Sequence, residues 1–483
     1  MSTFHGLEMA KQALSAQQSA LYTTNHNISN ANTDGYTRQR VNFETTPSHP
    51  SAARNRPEIA GQKGTGVEAG TVQRIRNQFL DHQYRAESSS SEYWNSKSNA
   101  LTQIENLMNE PSESGLASTM NQFWESLQDL SVNPDDSGVR SVVAQRADSV
   151  AETFNYLSDS LTAMRADLKK EIDHKSETAN SLIHQINNVN KQVKEIETHG
   201  QLANDLYDKR DKLIDELSGI VNIDVDYTKS SETAPDIADG LATVKLADAN
   251  GKALGAPALV GVSEGEFNYN PIEVDYPPSE FAAPGSLKGL IESYGYNTDD
   301  GDTVKGTYPD MLQDLDDLAG KFARKFNDLH NEGADLRGNE GVEEIENFFQ
   351  IPDGQPAASN IIVNQKILDD PGKIAASSGS GDGDGENAAA LADIIEESFT
   401  PSYQSLIGEL GVKTQEANRM AENTEALKSQ VEQQRMSVSS VSLDEEMSNM
   451  IKFQHAYNAA ARSMTAVDEM IDRIINNMGL VGR

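Results

Sequence analysis

Cysteine is absent from all 483 residues, which removes disulfides, thiolate metal sites and cysteine nucleophiles together. That suits a protein that leaves the cell or never needs a thiol. Basic residues are scarce as well: 40 Lys and Arg stand against 75 Asp and Glu, a formal net charge of −35. Such a balance opposes contact with nucleic-acid phosphates and with anionic lipid. Neither is an expected partner, and the acidity is read as solubility. No run of about 18 apolar residues occurs, so membrane insertion is not expected. The first residues show no basic segment followed by an apolar core, hence no visible cleaved secretory signal. Taken alone, these facts read as cytoplasmic. The length allows several domains and more than one core.

What the chain does have is sevenfold apolar periodicity at both ends. Near the C-terminus Leu443, Met450, Tyr457, Met464, Ile471 and Met478 recur every seven residues, with Phe453, Ala460, Val467 and Ile474 as a second row. On a helix these rows share one face and call for a partner. Leu7, Leu14, Leu21 and Ile28 repeat in the same way at the N-terminus, with Ala10, Ala13 and Ala20 beside them. A small flank facing a bulky one suits close approach of two helices. The spacing therefore predicts that the termini pair as a coiled coil, with everything between inserted into the pair. An exposed pair of this kind has little of its own to bury, so its order is expected to depend on neighbouring copies.

Between the ends, the reading is mainly α with an inserted β-domain. The predicted parts are residues 1–42 and 437–483 as the two halves of the terminal coiled-coil domain, 43–220 and 286–436 as a long-helix bundle body, and 221–285 as a small β-rich insertion. Pro47, Pro50, Pro57, Gly61, Gly64 and Gly66 predict extended segments or a hairpin between 45 and 70. A helix is predicted from about residue 138 to 197, since Val143, Val150, Leu157, Met164, Ile186 and Val193 mark its stripe. A second follows from 202 to 217, whose charges read as a solvated face laced with i, i+4 pairs. From Val221 the period shifts toward two, with strands expected at 241–246, 258–262 and 272–274 and an exit near Pro277 and Pro284. Helices are expected again at 286–294, 309–330, 387–399 and 401–436, with a strand at 361–363 and a flexible tract at 377–385.

Motifs that could carry chemistry are poorly supported. Gly261-Val-Ser263-Glu-Gly265 matches the pattern around a serine-hydrolase nucleophile, which needs a helix directly after it. No helical stripe follows, so a turn is expected and a secreted hydrolase using Ser263 is the rival reading from another class. Asp382-Gly-Asp384-Gly-Glu386 opens like a calcium loop but carries Asn387 at the sixth position, where glycine is needed. No H-E-x-x-H occurs, and His26 and His455 read as surface or packing residues. No cofactor, no metal and no catalysis is expected.

A resemblance enters at the end of the first seam. Asp34-Gly35 reads as a helix stop, and Asn30, Ala31, Asn32, Thr33, Gly35, Tyr36 and Arg38 form a run that closely resembles the N-terminal signature of bacterial flagellar rod, hook and hook-associated proteins. The stretch from Ser442 through Arg462 resembles the matching C-terminal end. Residues 123–140 and the Arg210-Asp211 region resemble the helical body of the members at the junction of hook and filament. The resemblance implies a structural, non-enzymatic component exported by the flagellar type III route, which overrides the cytoplasmic reading. It also implies copies of itself, the hook protein, the next hook-associated protein and an export chaperone as partners. Another axial component, hook or rod, is the nearest alternative.

Overall fold

The computed structural model describes residues 4–49, 61, 63–108, 115–255, 257–263, 266–276, 278–279, 281–298, 303–339, 346–379 and 383–477. Met478, Asp382, Pro50, Pro57, Pro277, Glu264 and Gly265 lie outside them. Helix α1 (Phe4–Ser29) opens the chain and is followed by strands β1 (Gln39–Thr45) and β2 (Val67–Arg74). They pair antiparallel, the hairpin that the Pro/Gly pattern predicts, with an irregularity between Asn42 and Phe43.

Helices α2 (Gln78–Met108), α3 (Leu116–Val132) and α4 (Ser137–Thr198) come next. The last of these is the spine, 62 residues without interruption, or about 90 Å at helical rise. Local sequence explains it. Asp136 caps the N-terminus by accepting the Gly138 and Val139 amides at 2.7 and 3.3 Å. No Gly or Pro occurs from 139 to 198, and Val143, Val150, Leu157, Ile172, Ile186 and Val193 bury one continuous stripe. Helix α5 (Asn204–Ile220) then turns back against α4.

The insertion is a four-stranded antiparallel meander of β3 (Ile223–Thr228), β4 (Leu241–Leu246), β5 (Val260–Ser263) and β6 (Glu266–Tyr269), in that order. Residues 272–274, expected as a strand, are not one. Ile272 is held by a side chain of α4 instead: its amide donates to Asn180 Oδ1 at 2.7 Å and its carbonyl accepts from Asn180 Nδ2 at 3.0 Å. Asn190 brackets Ala242 in the same manner at 2.8 and 3.2 Å. Two asparagines thus use helix side chains to complete backbone pairing that the sheet lacks. Ser263 ends β5 and pairs with Glu266 at the start of β6, so its surroundings are strand to strand rather than strand to helix. The chain leaves the insertion beside its point of entry. There Gly285, at φ 134°, passes so close that a Cβ would lie 2.3 Å from the Ile220 carbonyl oxygen.

Beyond it lie α6 (Ser286–Tyr294), the short pair β7 (Tyr296–Asn297) and β8 (Val304–Lys305), and α7 (Thr307–Glu332). Strands β9 (Phe349–Gln350) and β10 (Ile362–Val363) flank α8 (Ala357–Asn360), and α9 (Gln365–Asp369) follows. Next come α10 (Glu386–Ile394), a π turn at Ile395–Phe399, α11 (Thr400–Ser439) and α12 (Leu443–Asn477). In the tract expected to be flexible, the described residues are joined by hydrogen bonds. Asp384 accepts the Ser378 and Glu386 amides at 2.7 and 3.0 Å and the Ser377 hydroxyl at 2.9 Å. Those donors hold its carboxyl well below the usual range.

Helix α11 returns along α2 in the opposite direction, with Ser91 donating to Glu425 at 2.7 Å and Lys428 meeting Glu92 at 3.5 Å. One apolar core runs from α2 through α3, α4 and α7 to α11 and also takes in the sheet. One part of it is aromatic: Phe123, Phe322, Phe326, Phe348 and Phe349 pack tilted or edge-on at centroid distances of 5.0–6.4 Å.

Candidate functional site

Helices α1 and α12 lie side by side and antiparallel. Two contacts fix their register. Asn27 Nδ2 reaches Glu446 Oε2 at 3.2 Å, and three heptads away along both helices Gly6 faces Val467, whose Cγ2 would lie 3.6 Å from a Cβ at Gly6. Counting in sevens between these points puts Ala13 opposite Ala460 and Ala20 opposite Phe453. Small residues of α1 thus meet the second row of α12, and the hairpin adds Phe43 edge-on to Phe453 at 6.1 Å.

The structure places the predicted seam residues in a half-covered state. Leu7, Leu14, Leu21 and Ile28 are half-buried beside the contact row, while Ala10, Ala16 and Ala20 are buried. On α12, Met450, Phe453, Tyr457, Met464, Val467 and Ile471 are half-buried. Leu443 and Ile474 remain 47% and 41% exposed, and Met447, Ile451, Met470 and Ile475 are exposed as well. Among the described side chains of α12, the buried one is a carboxylate, Glu446, at 2%.

The signature residues gather at the root of this pair, with Tyr36 and Arg38 half-buried there and Asn32, Thr33 and Gly35 exposed. After α1, Gly35 takes φ 81°, a value suited to glycine, and the chain doubles back so that Tyr36 OH donates to Asn27 Oδ1 at 2.7 Å. Asn27 then brackets Gln39, donating to its carbonyl at 2.8 Å and accepting its amide at 3.0 Å. Arg38 binds the other end of the chain: its amide donates to the Ser439 carbonyl at 2.9 Å. Its guanidinium donates to Glu446 at 2.8 Å and Glu445 at 2.6 Å. Burial, with Asp208, Asp205 and Glu446 nearby, pushes the Tyr36 phenol up, so it stays a donor. Asn30 is half-buried and bonds back to the His26 carbonyl at 3.0 Å, Thr33 donates to Asn30 at 3.2 Å, Ala31 is half-buried and Asn32 is exposed.

Below the root lies a feature that the periodicity of the sequence conceals. The charges of α5 are a solvated face only in part: Asp205, Lys209 and Glu216 are exposed, but Asp208, Arg210 and Asp211 are buried at 7%, 0% and 2% exposure. Asp211 receives Arg74 at 3.0 Å and Arg76 at 2.8 Å, with Arg85 at 4.0 Å and Arg210 at 3.9 Å. Arg74 also meets Asp208 at 2.7 Å and contacts Asp239. Asp215 accepts Arg85 at 2.8 Å and Arg435 at 2.7 Å. The cluster ties β2, α2, α5, α11 and the loop before β4 to one point. Burial is the largest single influence on Asp211 and pushes it up, yet the guanidinium groups of Arg76, Arg74, Arg210 and Arg85 together hold it well below the usual range. For Asp208 burial prevails over Arg74, and its pKa rises. Root and cluster are joined, since the Thr37 amide donates to Asp208 at 3.1 Å, Gln39 to Asp205 at 3.1 Å and Lys212 to Asp34 at 2.7 Å.

Three comparisons bear on this arrangement. Residues 101–349 match the model described as "Flagellar hook-associated protein FlgK helical domain". The ends match rod-protein models: residues 7–37 "Flagella basal body rod protein" and residues 432–478 "Flagellar basal body rod FlgEFG protein C-terminal". Flagellar hook-associated protein 1 of Bacillus subtilis (strain 168) is 46% identical over 511 aligned positions, covering 100% of both chains. The Escherichia coli (strain K12) protein of that name is 26% identical over 97% of this chain and 98% of its own. The solved flagellar hook junction protein FlgK from Burkholderia pseudomallei shares the fold at a TM-score of 0.55 and 14% identity, over 74% of this chain and 100% of that one.

Proposed function

Because this chain belongs to the flagellar hook-associated protein 1 family, we propose that it joins hook to filament by packing its terminal helix pair among neighbouring subunits. It is a structural component of the bacterial flagellum. One observation carries the reading. The body closes its own core, whereas the pair leaves every large apolar side chain of α12 at least partly open among those described. Full coverage of such a side chain contributes roughly 1.5–3 kcal/mol, and ordering the backbone costs about 1–2 kcal/mol per residue. Two helices alone leave that balance close; a tube of subunits supplies the missing cover.

On this reading the seam from Leu7 to Ile28 and from Leu443 to Ile474 is the assembly surface. Copies of this chain, the hook protein and the next hook-associated protein are its partners, and an export chaperone covers it before assembly. The protein leaves the cell by the flagellar type III route, stands between hook and filament, and catalyses nothing. Deleting the gene and imaging tagged protein on complemented cells tests this. Hooks without filaments, and a spot between hook and filament, are expected. Cells lacking hooks would place the protein in the rod or hook instead. A chain cut before Leu443 that still holds filaments and supports motility would overturn the role of the seam.

A further inference from the structure

The apolar rows by themselves leave the register of α1 on α12 open. Sliding one helix by seven residues sets Ala13 against Phe453 or Val467 in place of Ala460, again small against apolar, and half-covered contacts discriminate weakly between such neighbours. One place in the pair does not repeat. Asn27 and Glu446 are 1% and 2% exposed, joined at 3.2 Å, and closed by Arg38 Nε at 2.8 Å from Glu446. We infer that Asn27 and Glu446 are positioning residues that set the register of the terminal pair from its root, and that the apolar rows follow them. In either shifted register Asn27 faces Phe453 or Ser439, and the buried carboxylate loses its amide partner. Buried polar groups left without partners are costly, and a single buried polar contact is known to select register while lowering stability.

The root is also where the pair is tied to the body, through Thr37 to Asp208 and Arg38 to Ser439. The lock therefore orders the near end first, and the far ends near Gly6 and Val467 order last. It belongs to the fold of the single chain and stands whether or not the pair is buried at a flagellar junction.

Absence of native cysteine makes the register directly readable. Three full-length double variants carry Ala13→Cys with Ala460→Cys, with Phe453→Cys or with Val467→Cys, and their intramolecular disulfide yields are compared under mild oxidation. The 13–460 pair is expected to exceed either shifted pair by about tenfold, the ratio set by one unmade buried hydrogen bond. Adding Asn27→Leu and Glu446→Leu, with Arg38 still paired to Glu445, is expected to spread the yield over all three pairs while far-ultraviolet circular dichroism keeps its helical signal. A merely structural role would lower the 13–460 yield without raising the others. Equal yields in the unaltered background, or an unchanged preference after the double leucine substitution, would overturn the inference. Restoring Asn27 and Glu446 together, but neither alone, is expected to restore the preference.

Discussion

The body and the terminal pair are both helical, yet they close differently. In the body Phe123, Phe154, Phe326, Ile172 and Ile183 are fully buried at 0% exposure, each covered by helices of the same chain. In the pair the same kinds of side chain stand open, from half-buried Met464 to Ile475 at 68%. Heptad pattern alone does not distinguish the two cases, because α4 and α12 are both amphipathic. The number of partners does: α4 contacts α3, α5, α6, α7 and the sheet, whereas among the described residues α12 packs chiefly on α1, with Arg38 and the hairpin touching it at one end. An amphipathic stripe says that cover is needed, and only the count of neighbours says whether one chain provides it.

The contrast can be broken at several points. The largest effects belong to the body. Asp211→Ala leaves the guanidinium groups of Arg74 and Arg76 without their shared carboxylate and is expected to cost about 3–5 kcal/mol in urea unfolding. Phe326→Ala, emptying the aromatic cluster, is expected to cost a similar 3–5 kcal/mol or so by the same measurement.

Acid provides a second body-specific lever. His330 is wholly buried, accepts the Ala375 amide on Nε2 at 3.0 Å, and is pushed down to about 4 by burial. The unfolded chain binds this proton below about pH 6.5 while the folded chain refuses it until about 4, so the stabilising contribution is complete above 6.5 and lost as pH falls through that window. A loss of roughly 3 kcal/mol between these limits is expected, removed by His330→Gln.

Smaller effects belong to the pair. Asn27→Ala is expected to lower local stability at the root by roughly 1–3 kcal/mol, read as faster amide exchange at Gln39 with the body transition unchanged. Met464→Ala is expected to change the unfolding of the soluble chain by less than about 1 kcal/mol, while weakening filament attachment on cells. A Met464 effect as large as that of Phe326 would erase the distinction between the two regions.

Much of this architecture was legible in the sequence. The sevenfold rows located both terminal helices, the apolar stripe from Val143 to Val193 gave α4, and the turn at Gly35 was foreseen although α1 already ends at Ser29. The Arg and Asp cluster was not legible, because Arg74, Arg85, Asp211 and Arg435 are brought together only by tertiary folding. On α5 alone, Asp205 with Lys209, Asp208 with Lys212 and Lys212 with Glu216 have the i, i+4 spacing of surface ion pairs. A hint was present in Tyr207, Leu213 and Ile214, which leave the helix few polar faces. The place of residues 272–274 was hidden for a related reason, since Asn180 supplies from a helix the hydrogen bonds that a strand would otherwise make. The signature run was recognisable as a motif, but its work in tying Asn27 to Gln39 and Arg38 to Glu446 required the fold.

Amide hydrogen exchange on the soluble full-length chain tests the central claim most directly. Slow exchange through Val143 to Val193 and around Phe326 is expected, with far faster exchange over Leu7–Leu21 and Tyr457–Ile474 and intermediate protection at the root around Asn27 and Glu446. Protection over both terminal stretches equal to that of α4 would mean that the pair is closed on its own, and would contradict the account.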